Sequence, residues 1–294
     1  MNIIIAINDA YIEPAKTMLY SLAKNNPSNI TVYLLHKCLT QTVLDDLRVF
    51  LKRDCQSELI SIQIDSILFA DAPTQKWWSE ETYYRLLAFD VLPAKCDRAL
   101  WLDADIIVNG NIEAFYYQSF EEQYAVVCKG CNQRLKYDLG LPQEHEYFNA
   151  GVILFNLQRI RANFTKQSIF DCLREYNGRL NALDQDVLNL LFSGHVLYVD
   201  EQIYNCEVFG FHVYSKEKMD GFSKARIIHF AGPLKPWKRK GANWADRFWW
   251  KYELARGRYS AYLIYRLQNA PWKFYHIFRE CFYMLIAMCR KVTR

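Results

Sequence analysis

The chain has 294 residues, of which 51% are apolar and 16% aromatic, and this composition excludes an intrinsically disordered protein. Its net charge of +4 is unevenly distributed, because residues 235–294 contain 14 Lys and Arg against three Asp and Glu, while the preceding residues are acidic. No nucleic-acid-binding motif accompanies the basic segment, so we expect an anionic membrane surface, and not nucleic acid, as its partner.

The cysteines and the N-terminus indicate the compartment. Nine cysteines are scattered along the sequence, and the apolar run over residues 3–7 is too short for a signal peptide or a membrane anchor. We therefore expect free thiols in a reducing cytoplasm.

The first part of the chain alternates between strand and helix patterns. Strands are predicted over residues 2–9, 29–35 and 57–64, with amphipathic helices over residues 11–25 and 40–51 between them. This order predicts an α/β fold with a single doubly wound, mostly parallel sheet flanked by helices. Ligands bind at the carboxyl ends of the strands in such sheets, so Asn8 and Asp9 are candidate site residues.

A helix predicted over residues 81–89 carries one cation, Arg85, among apolar residues. Two interpretations of Arg85 stay open at this stage. It is either a solvated side chain on the outer face of the helix, or a partner of a carboxylate or phosphate near the site.

The central stretch, residues 98–108, is predicted to be a buried strand that contains Asp103 and Asp105. Side chains at positions i and i+2 of an extended segment point to the same side. Two carboxylates on one side suit Mg²⁺ or Mn²⁺, although most Asp-x-Asp triplets are ordinary surface residues. The apolar residues on both sides of this triplet favour a metal site.

Polar groups recur beside two later elements. Asn149, Ala150 and Gly151 precede the apolar part of a strand predicted over residues 148–156, where glycine permits close backbone approach to a ligand. A helix predicted over residues 183–191 begins with Asp184, Gln185 and Asp186, which are either helix caps or part of a site.

The last motif surrounds His229, which ends a predicted strand. Gly232 and Lys235 follow it within six residues. His229 is therefore a candidate metal ligand, and Lys235 and the backbone near Gly232 are candidates for binding a diphosphate.

These blocks together resemble glycosyltransferase family 8, and within it most closely the bacterial lipopolysaccharide galactosyl- and glucosyltransferases, with glycogenin more distant. The resemblance covers residues 2–237 and rests on five blocks in order: the strand over residues 3–9, Leu102-Asp-Ala-Asp105, Phe148-Asn-Ala-Gly151, Asp184-Gln-Asp186, and His229-Phe-Ala-Gly-Pro-Leu-Lys-Pro-Trp237. The resemblance implies a GT-A fold and a retaining enzyme that transfers a hexose from a UDP-sugar to a glycan acceptor, such as lipopolysaccharide or another cell-surface glycan.

Site residues follow from the resemblance, position by position. It implies that Mn²⁺ or Mg²⁺ is bound by Asp103, Asp105 and His229, and that Gly232 and Lys235 contact the diphosphate. The remaining donor-binding positions that it implies are Ala6, Asn8, Asp9, Arg85, Ala104, Asn149, Ala150, Gly151, Asp184 and Gln185. The catalytic residues among these are Asp184, Gln185 and Lys235.

Two positions depart from the family pattern, and one mechanistic choice stays open. Asn8 stands where bacterial members commonly have Asp, and Lys129 or Gly130 stands where they have an Asp that contacts the sugar or acceptor. The donor sugar is therefore open between galactose and glucose or another sugar. Retention proceeds either by double displacement through Asp184 or by a same-face route in which the departing phosphate acts as base.

We expect a GT-A domain over residues 1–245 and a basic, aromatic helical tail over residues 246–294. A helix predicted from Asn269 has an aromatic face and is too short to span a bilayer, so it either lies at the inner membrane surface or packs back on the domain. Rival functions at this stage are a sugar-nucleotide pyrophosphorylase or phosphohydrolase, and a catalytically inactive scaffold that binds UDP-sugar.

Overall fold

The computed structural model describes residues 1–69, 80–208, 216–238 and 243–269. The strands are β1 (Asn2–Ala6), β2 (Thr31–His36), β3 (Glu58–Gln63), β4 (Arg98–Leu102), β5 (Ile106–Val108), β6 (Ala125–Lys129), β7 (Phe148–Asn156), β8 (Val196–Val199), β9 (Cys206–Glu207) and β10 (Ile227–His229). The α-helices are α1 (Ile12–Asn25), α2 (Gln41–Phe50), α3 (Ala88–Val91), α4 (Glu113–Tyr116), α5 (Leu135–Asp138), α6 (Leu157–Asn163), α7 (Lys166–Glu175), α8 (Asp184–Leu191), α9 (Glu201–Tyr204), α10 (Lys216–Lys224) and α11 (Asp246–Ala255).

The main sheet has seven strands in the order β3-β2-β1-β4-β7-β6-β8. Its first four strands are parallel, as is the pair of β6 and β8, whereas β7 runs antiparallel to both β4 and β6. The predicted doubly wound, mostly parallel sheet is therefore confirmed. The reversed β7 brings its beginning to the sheet edge where β4 ends, because the register joins Leu102 to Val152.

The prediction of one strand over residues 98–108 was wrong. β4 ends at Leu102, where the backbone amide of Asp103 donates to the carbonyl of Gly151 at 2.9 Å. The chain then turns, and β5 leaves the main sheet to join a three-stranded sheet in the order β5-β10-β9. Asp103 and Asp105 therefore converge because they lie on a turn between two sheets, and not because they alternate along a strand.

The helix predicted over residues 81–89 differs in type from the observed one. The chain forms a 3-10 helix over Glu80–Leu87, which continues into α3. The side chains of Tyr83, Tyr84 and Arg85 are buried in it.

The core lies on both faces of the main sheet. Along β1, Ile4 joins one apolar cluster, which also contains Trp101, and the neighbouring Ile3 and Ile5 join the other. This alternation is the two-residue period of a strand that is covered on both faces. Each buried isoleucine contributes about 1.5–3 kcal/mol of burial free energy, so the strands that carry the site rest on a rigid support.

The chain divides into two compact units, of which the first contains residues 1–207 and 221–229 and the second contains the other described residues. In the second unit the ring of Trp249 lies 4.4 Å from that of Trp237, and the ring of Trp250 lies 4.6 Å from that of Tyr265. The predicted boundary after residue 245 stays a prediction. The amphipathic helix predicted beyond Asn269 lies outside the described residues, and no helix within them is long and apolar enough to cross a membrane.

Candidate active site

The turn after β4 and the end of β10 bring together three side chains of types that can ligate a metal. One oxygen of Asp103, one oxygen of Asp105 and a ring nitrogen of His229 all lie within 4.8 Å of one another. The Nε2 atom of His229 is 3.3 Å from Oδ1 of Asp105 and 3.9 Å from Oδ2 of Asp103. Two carboxylate oxygens and an imidazole nitrogen that converge in this way fit a divalent cation such as Mn²⁺.

Electrostatics at this cluster point the same way. Burial opposes a positive charge on His229, but the carboxylates of Asp105 and Asp103 outweigh burial and raise the pKa of the imidazole. Burial, reinforced by the same two carboxylates, raises the pKa of the Tyr11 phenol well above its ordinary value. The local field therefore favours a positive charge at the cluster.

Gly151 permits the imidazole to sit where it does. A Cβ atom at this position would lie 2.3 Å from Cε1 of His229 and 2.9 Å from its Nδ1. A distance of this size is a steric clash, so only glycine accommodates the ring against the backbone of β7.

Arg85 connects this cluster to a second acidic segment. Its side chain is buried, and its guanidinium is 3.0 Å from Oδ1 of Asp103 and 2.9 Å from Oδ2 of Asp184. It also donates to the carbonyl of Ala150 and lies over the ring of Trp101 at 4.6 Å. Of the two interpretations of Arg85, pairing with carboxylates at the site is confirmed and solvent exposure was wrong.

The segment Asp184–Asp186 begins α8 after a strained residue, because Leu183 has a φ of 49°. Oδ2 of Asp186 stabilises this turn by accepting from the backbone amides of Asn181 and Ala182 at 2.6 and 2.7 Å. Oδ1 of Asp186 accepts a hydrogen bond from the hydroxyl of Tyr147. Both oxygens of Asp186 are therefore occupied by protein donors.

Gln185 is held from two sides. Its Oε1 accepts from the backbone amide of Ala150 at 2.9 Å, and its Nε2 donates to the hydroxyl of Tyr147 at 3.1 Å. Burial raises the pKa of Asp184 to about 6, and the Arg85 guanidinium opposes that shift. Burial also raises the pKa of the Tyr147 phenol, with Asp186 adding to the shift. The segment therefore presents Asp184 and Gln185 in fixed positions.

Three of the predicted donor-binding residues, Ala6, Asn8 and Asp9, lie at the end of β1. Ala6 is the last residue of that strand, and Asp9 is exposed in the 3-10 turn that follows. Asn8 caps this turn by accepting from the amide of Ala10 at 3.1 Å. Ala104 is buried between the two carboxylates of the turn after β4.

Gly232 and Lys235 belong to the second compact unit. Gly232 has a φ of 80°, a conformation that favours glycine. Lys235 is buried, and its Nζ donates to the carbonyl of Phe230 at 3.0 Å. Their predicted contacts with a diphosphate stay predictions.

Three residues at the site were not predicted from the sequence. Trp101 was predicted only as a strand residue, yet its indole Nε1 donates to Oδ1 of Asp103 at 2.8 Å. Tyr147 and Asn205 were not singled out, yet they contact Asp186 and His229, respectively. A tyrosine directly before the Phe148-Asn-Ala-Gly151 block was a usable signal, whereas nothing in the sequence around Asn205 indicated its role.

With this geometry established, comparisons with known proteins identify the family. The family model described as "Glycosyl transferase family 8" matches residues 2–241. The chain is 29% identical to a lipopolysaccharide 1,2-glucosyltransferase of Escherichia coli over 285 residues, which is 92% of this chain and 80% of that protein. It is also 29% identical to a lipopolysaccharide 1,3-galactosyltransferase of Salmonella typhimurium, over 76% of this chain and 64% of that protein.

A solved structure shows the same fold. The galactosyltransferase LgtC, crystallised with donor and acceptor sugar analogs, superposes with a TM-score of 0.75 at 22% identity, over 87% of this chain and 96% of that one. The predicted GT-A fold is therefore confirmed. Because the family model matches more than half of the chain, the protein belongs to glycosyl transferase family 8 and is a glycosyltransferase.

Proposed function

We propose that this enzyme transfers a hexose from a UDP-sugar, with retention, to a glycan acceptor such as lipopolysaccharide or another cell-surface glycan. One observation carries the proposal: Asp103, Asp105 and His229 converge beside the Arg85 pair with Asp184. In such a site the first three residues would hold a cation, and the neighbouring Arg85 and Asp184 would contact the sugar. The relatives named for lipopolysaccharide glucosyl and galactosyl transfer support a glycan acceptor.

Asp103, Asp105 and His229 would hold Mn²⁺, or Mg²⁺ in its place. When bound, this cation supplies charge stabilisation to the diphosphate of the leaving UDP. Lys235 and the backbone at Gly232 would contact the same diphosphate. Ala6, Asn8 and Asp9 would bind the uracil and ribose from the end of β1.

The donor sugar would lie against Arg85, Asn149, Asp184 and Gln185. We favour the same-face route for retention, in which the departing phosphate takes the proton of the acceptor hydroxyl. Two observations support this choice: an Asp184 oxygen is paired with Arg85 at 2.9 Å, and both Asp186 oxygens accept from protein donors. Both Asp186 oxygens are thus engaged, and Asp184 would have to give up its ion pair with Arg85 to act as the nucleophile that double displacement needs.

The donor sugar itself is best identified by ligand stabilisation. A ligand that binds only the folded protein raises the free energy of unfolding by RT ln(1 + [L]/Kd). We expect UDP-glucose or UDP-galactose with Mn²⁺ to raise Tm, and the Asp105→Asn variant to lose this shift. A protein whose Tm responds to no UDP-sugar, and which hydrolyses none in the presence of Mn²⁺, would contradict the proposal.

We also propose that the enzyme works in the cytoplasm, attached to the inner face of the membrane through its basic C-terminal segment. The charge of residues 235–294 supports this, since each Lys or Arg near an anionic leaflet contributes about 1 kcal/mol. The full chain should sediment with anionic vesicles at low salt and leave them at high salt. A chain that ends before residue 269, and so lacks the aromatic helix predicted from Asn269, should stay in the supernatant and still hydrolyse UDP-sugar. Full-length protein that stays in the supernatant with anionic vesicles at low salt would contradict the membrane proposal.

A further inference from the structure

A buried amide, Asn205, lies behind the imidazole of His229. Asn205 lies between α9 and β9, and only 1% of its surface is exposed. Its Oδ1 lies 2.9 Å from Nδ1 of His229, and its Nδ2 lies 2.9 Å from Oδ1 of Asn149. One side chain therefore contacts both a proposed metal ligand and a proposed sugar-binding residue.

The orientation of these amides is fixed by the backbone. The amide N–H of Gly151 donates to Oδ1 of Asn149 at 2.8 Å, and a backbone N–H can only donate. The atom of Asn149 that faces Asn205 is therefore an oxygen, and the atom of Asn205 that faces it must be the donor Nδ2. Asn205 consequently directs its oxygen towards His229.

This orientation favours one tautomer of the imidazole, in competition with the Asp105 carboxylate, which faces Nε2 and can also only accept. An amide oxygen can only accept, so Nδ1 of His229 carries the hydrogen in the 2.9 Å contact with Asn205. In the neutral ring the lone pair then lies on Nε2, the nitrogen that is 3.3 Å from Oδ1 of Asp105. A metal-bound histidine needs this arrangement, because the ligating nitrogen must be unprotonated.

Gly151 affects His229 in a second way, through its missing side chain as well as through its backbone N–H. Its missing Cβ leaves room for the ring, since a Cβ there would be 2.3 Å from Cε1 of His229. The backbone of β7 thus fixes the position of the ring by contact, and its N–H at Gly151 favours the tautomer through two amides.

We propose that Asn205 is a positioning residue that holds His229 in the Nδ1–H tautomer and so directs Nε2 towards the cation. This inference rests on the proposed metal site. It also assigns the Gly151–Asn149–Asn205–His229 chain of hydrogen bonds as a physical link between the sugar-binding residues and the metal ligands.

The unmodified protein offers a direct test. Nitrogen NMR of the full chain, labelled at histidine, reports which ring nitrogen of His229 carries the hydrogen. The signal is assigned by its loss in His229→Gln. We expect hydrogen on Nδ1, both in metal-free protein at alkaline pH, where the ring is neutral, and in protein with Mg²⁺. Hydrogen on Nε2 in metal-free protein overturns the proposal, whether or not metal binds.

Two variants at position 205 separate positioning from packing. Asn205→Leu has the same branching and number of side-chain heavy atoms but no acceptor, and we expect Mn²⁺ affinity, measured by calorimetry, to fall about 10- to 100-fold. Asn205→Asp keeps an acceptor for Nδ1–H but loses the donor to Oδ1 of Asn149, so we expect it to keep the Nδ1–H signal and to lose less Mn²⁺ affinity than Asn205→Leu. Circular dichroism and thermal unfolding verify that both variants fold.

The possible results are distinguishable. A folded Asn205→Leu protein with wild-type Mn²⁺ affinity and the Nδ1–H signal overturns the positioning role. If wild-type protein binds no divalent cation, the proposed function fails, while the NMR signal still decides the tautomer. If neither variant folds, the spectrum of the unmodified protein still distinguishes the two tautomers, and hydrogen on Nε2 overturns the proposal.

Discussion

The turn Asp103–Asp105 and the turn before Asp186 both place carboxylates at the active site, and their surroundings differ. Each oxygen of Asp186 has a protein donor, from Tyr147 or from the backbone amides of Asn181 and Ala182. In the other turn the carboxylates of Asp103 and Asp105 face His229, and the three ligand atoms converge within 4.8 Å. Acidic residues that look alike in the sequence thus converge on a histidine in one place and stabilise a protein turn in the other.

Asp184 lies between these two situations. It is buried beside Arg85, yet its pKa is raised to about 6 because burial outweighs the Arg85 guanidinium and the hydrogen bonds that the carboxylate accepts. A carboxylate that is only partly compensated destabilises the folded protein and can be retained for function. Four substitutions test this comparison.

The largest effect is expected at the cation-facing turn. Asp105→Asn removes one of the converging charges, so we expect kcat/KM to fall about 10³-fold while the fold is kept. Steady-state kinetics with Mn²⁺ and calorimetry of Mn²⁺ binding measure this. The control is Asp171→Asn, which removes an exposed pair with Arg174 and should change neither quantity. Near wild-type turnover in Asp105→Asn would show that the proposed metal site is not needed for catalysis.

The second prediction concerns Asp184 and pH. Because folding raises its pKa from 3.8 to about 6, the protonated group favours the folded state. The contribution of protonated Asp184 to the free energy of unfolding is fully present at low pH and is lost as pH rises through about 6. This loss lowers the free energy of unfolding by about 3 kcal/mol. Asp184→Asn cannot ionise, so its free energy of unfolding should rise relative to wild type across this window.

Denaturant unfolding of the metal-free proteins at several pH values measures that difference. The same variant should lose transfer activity, since Asp184 is a proposed sugar contact. A stability difference that does not change between pH 3.8 and about 6 would show that the group titrates normally in the fold.

The third prediction tests the turn before Asp186, where both carboxylate oxygens accept hydrogen bonds from the protein. Tyr147→Phe removes the donor to Oδ1 of buried Asp186, so we expect a loss of about 2 kcal/mol in the free energy of unfolding. The matched control is Tyr198→Phe, whose hydroxyl donates to the carbonyl of Glu146 at the surface and should matter less. Urea denaturation followed by fluorescence measures both. Equal losses of unfolding free energy in the two variants would mean that the hydrogen bond from Tyr147 to Asp186 stabilises the protein no more than a surface hydrogen bond does.

The smallest effect is expected where the two turns are joined. Arg85→Lys keeps the charge but cannot pair with Asp103 and Asp184 at once, because lysine lacks the planar guanidinium. We expect kcat/KM to fall about 10-fold, as for other partners of metal ligands. Arg179→Lys, at an exposed arginine, is the control. If Arg85→Lys has full activity, positive charge alone at this position is sufficient.

Most of the elements, and the grouping of Asp103, Asp105 and His229, could be predicted from the sequence. Alternating strand and helix patterns predicted β1, α1, β2, α2 and β3 in order, because each period follows from the local burial of apolar side chains. Thr40 and Thr42 both fit the pattern of a helix cap, and it is Thr40 that caps α2, accepting from the amide of Val43 at 3.4 Å. Local chemistry of this kind is readable without tertiary contacts.

Other features were decided by contacts between distant segments. The break after Leu102 could not be predicted from a continuous apolar stretch, since the same residues suit one long strand or two strands in different sheets. The antiparallel direction of β7 placed Asn149 beside the end of β4, where a parallel strand would have sent it to the opposite edge. Sequence patterns carry no strand direction, so this arrangement belongs to the tertiary structure.

Sequence alone thus indicated which residues are buried, which elements they form, and which acids, amides and histidine are candidates for chemistry. Only the folded chain shows which of these acids have protein partners. Folding paired Asp186 with Tyr147, placed Arg85 between Asp103 and Asp184, and set Asn205 behind His229. The physical reason is that a hydrogen bond or ion pair acts only over a few ångströms, and residues far apart in the chain come within that distance only when the sheet and its helices pack.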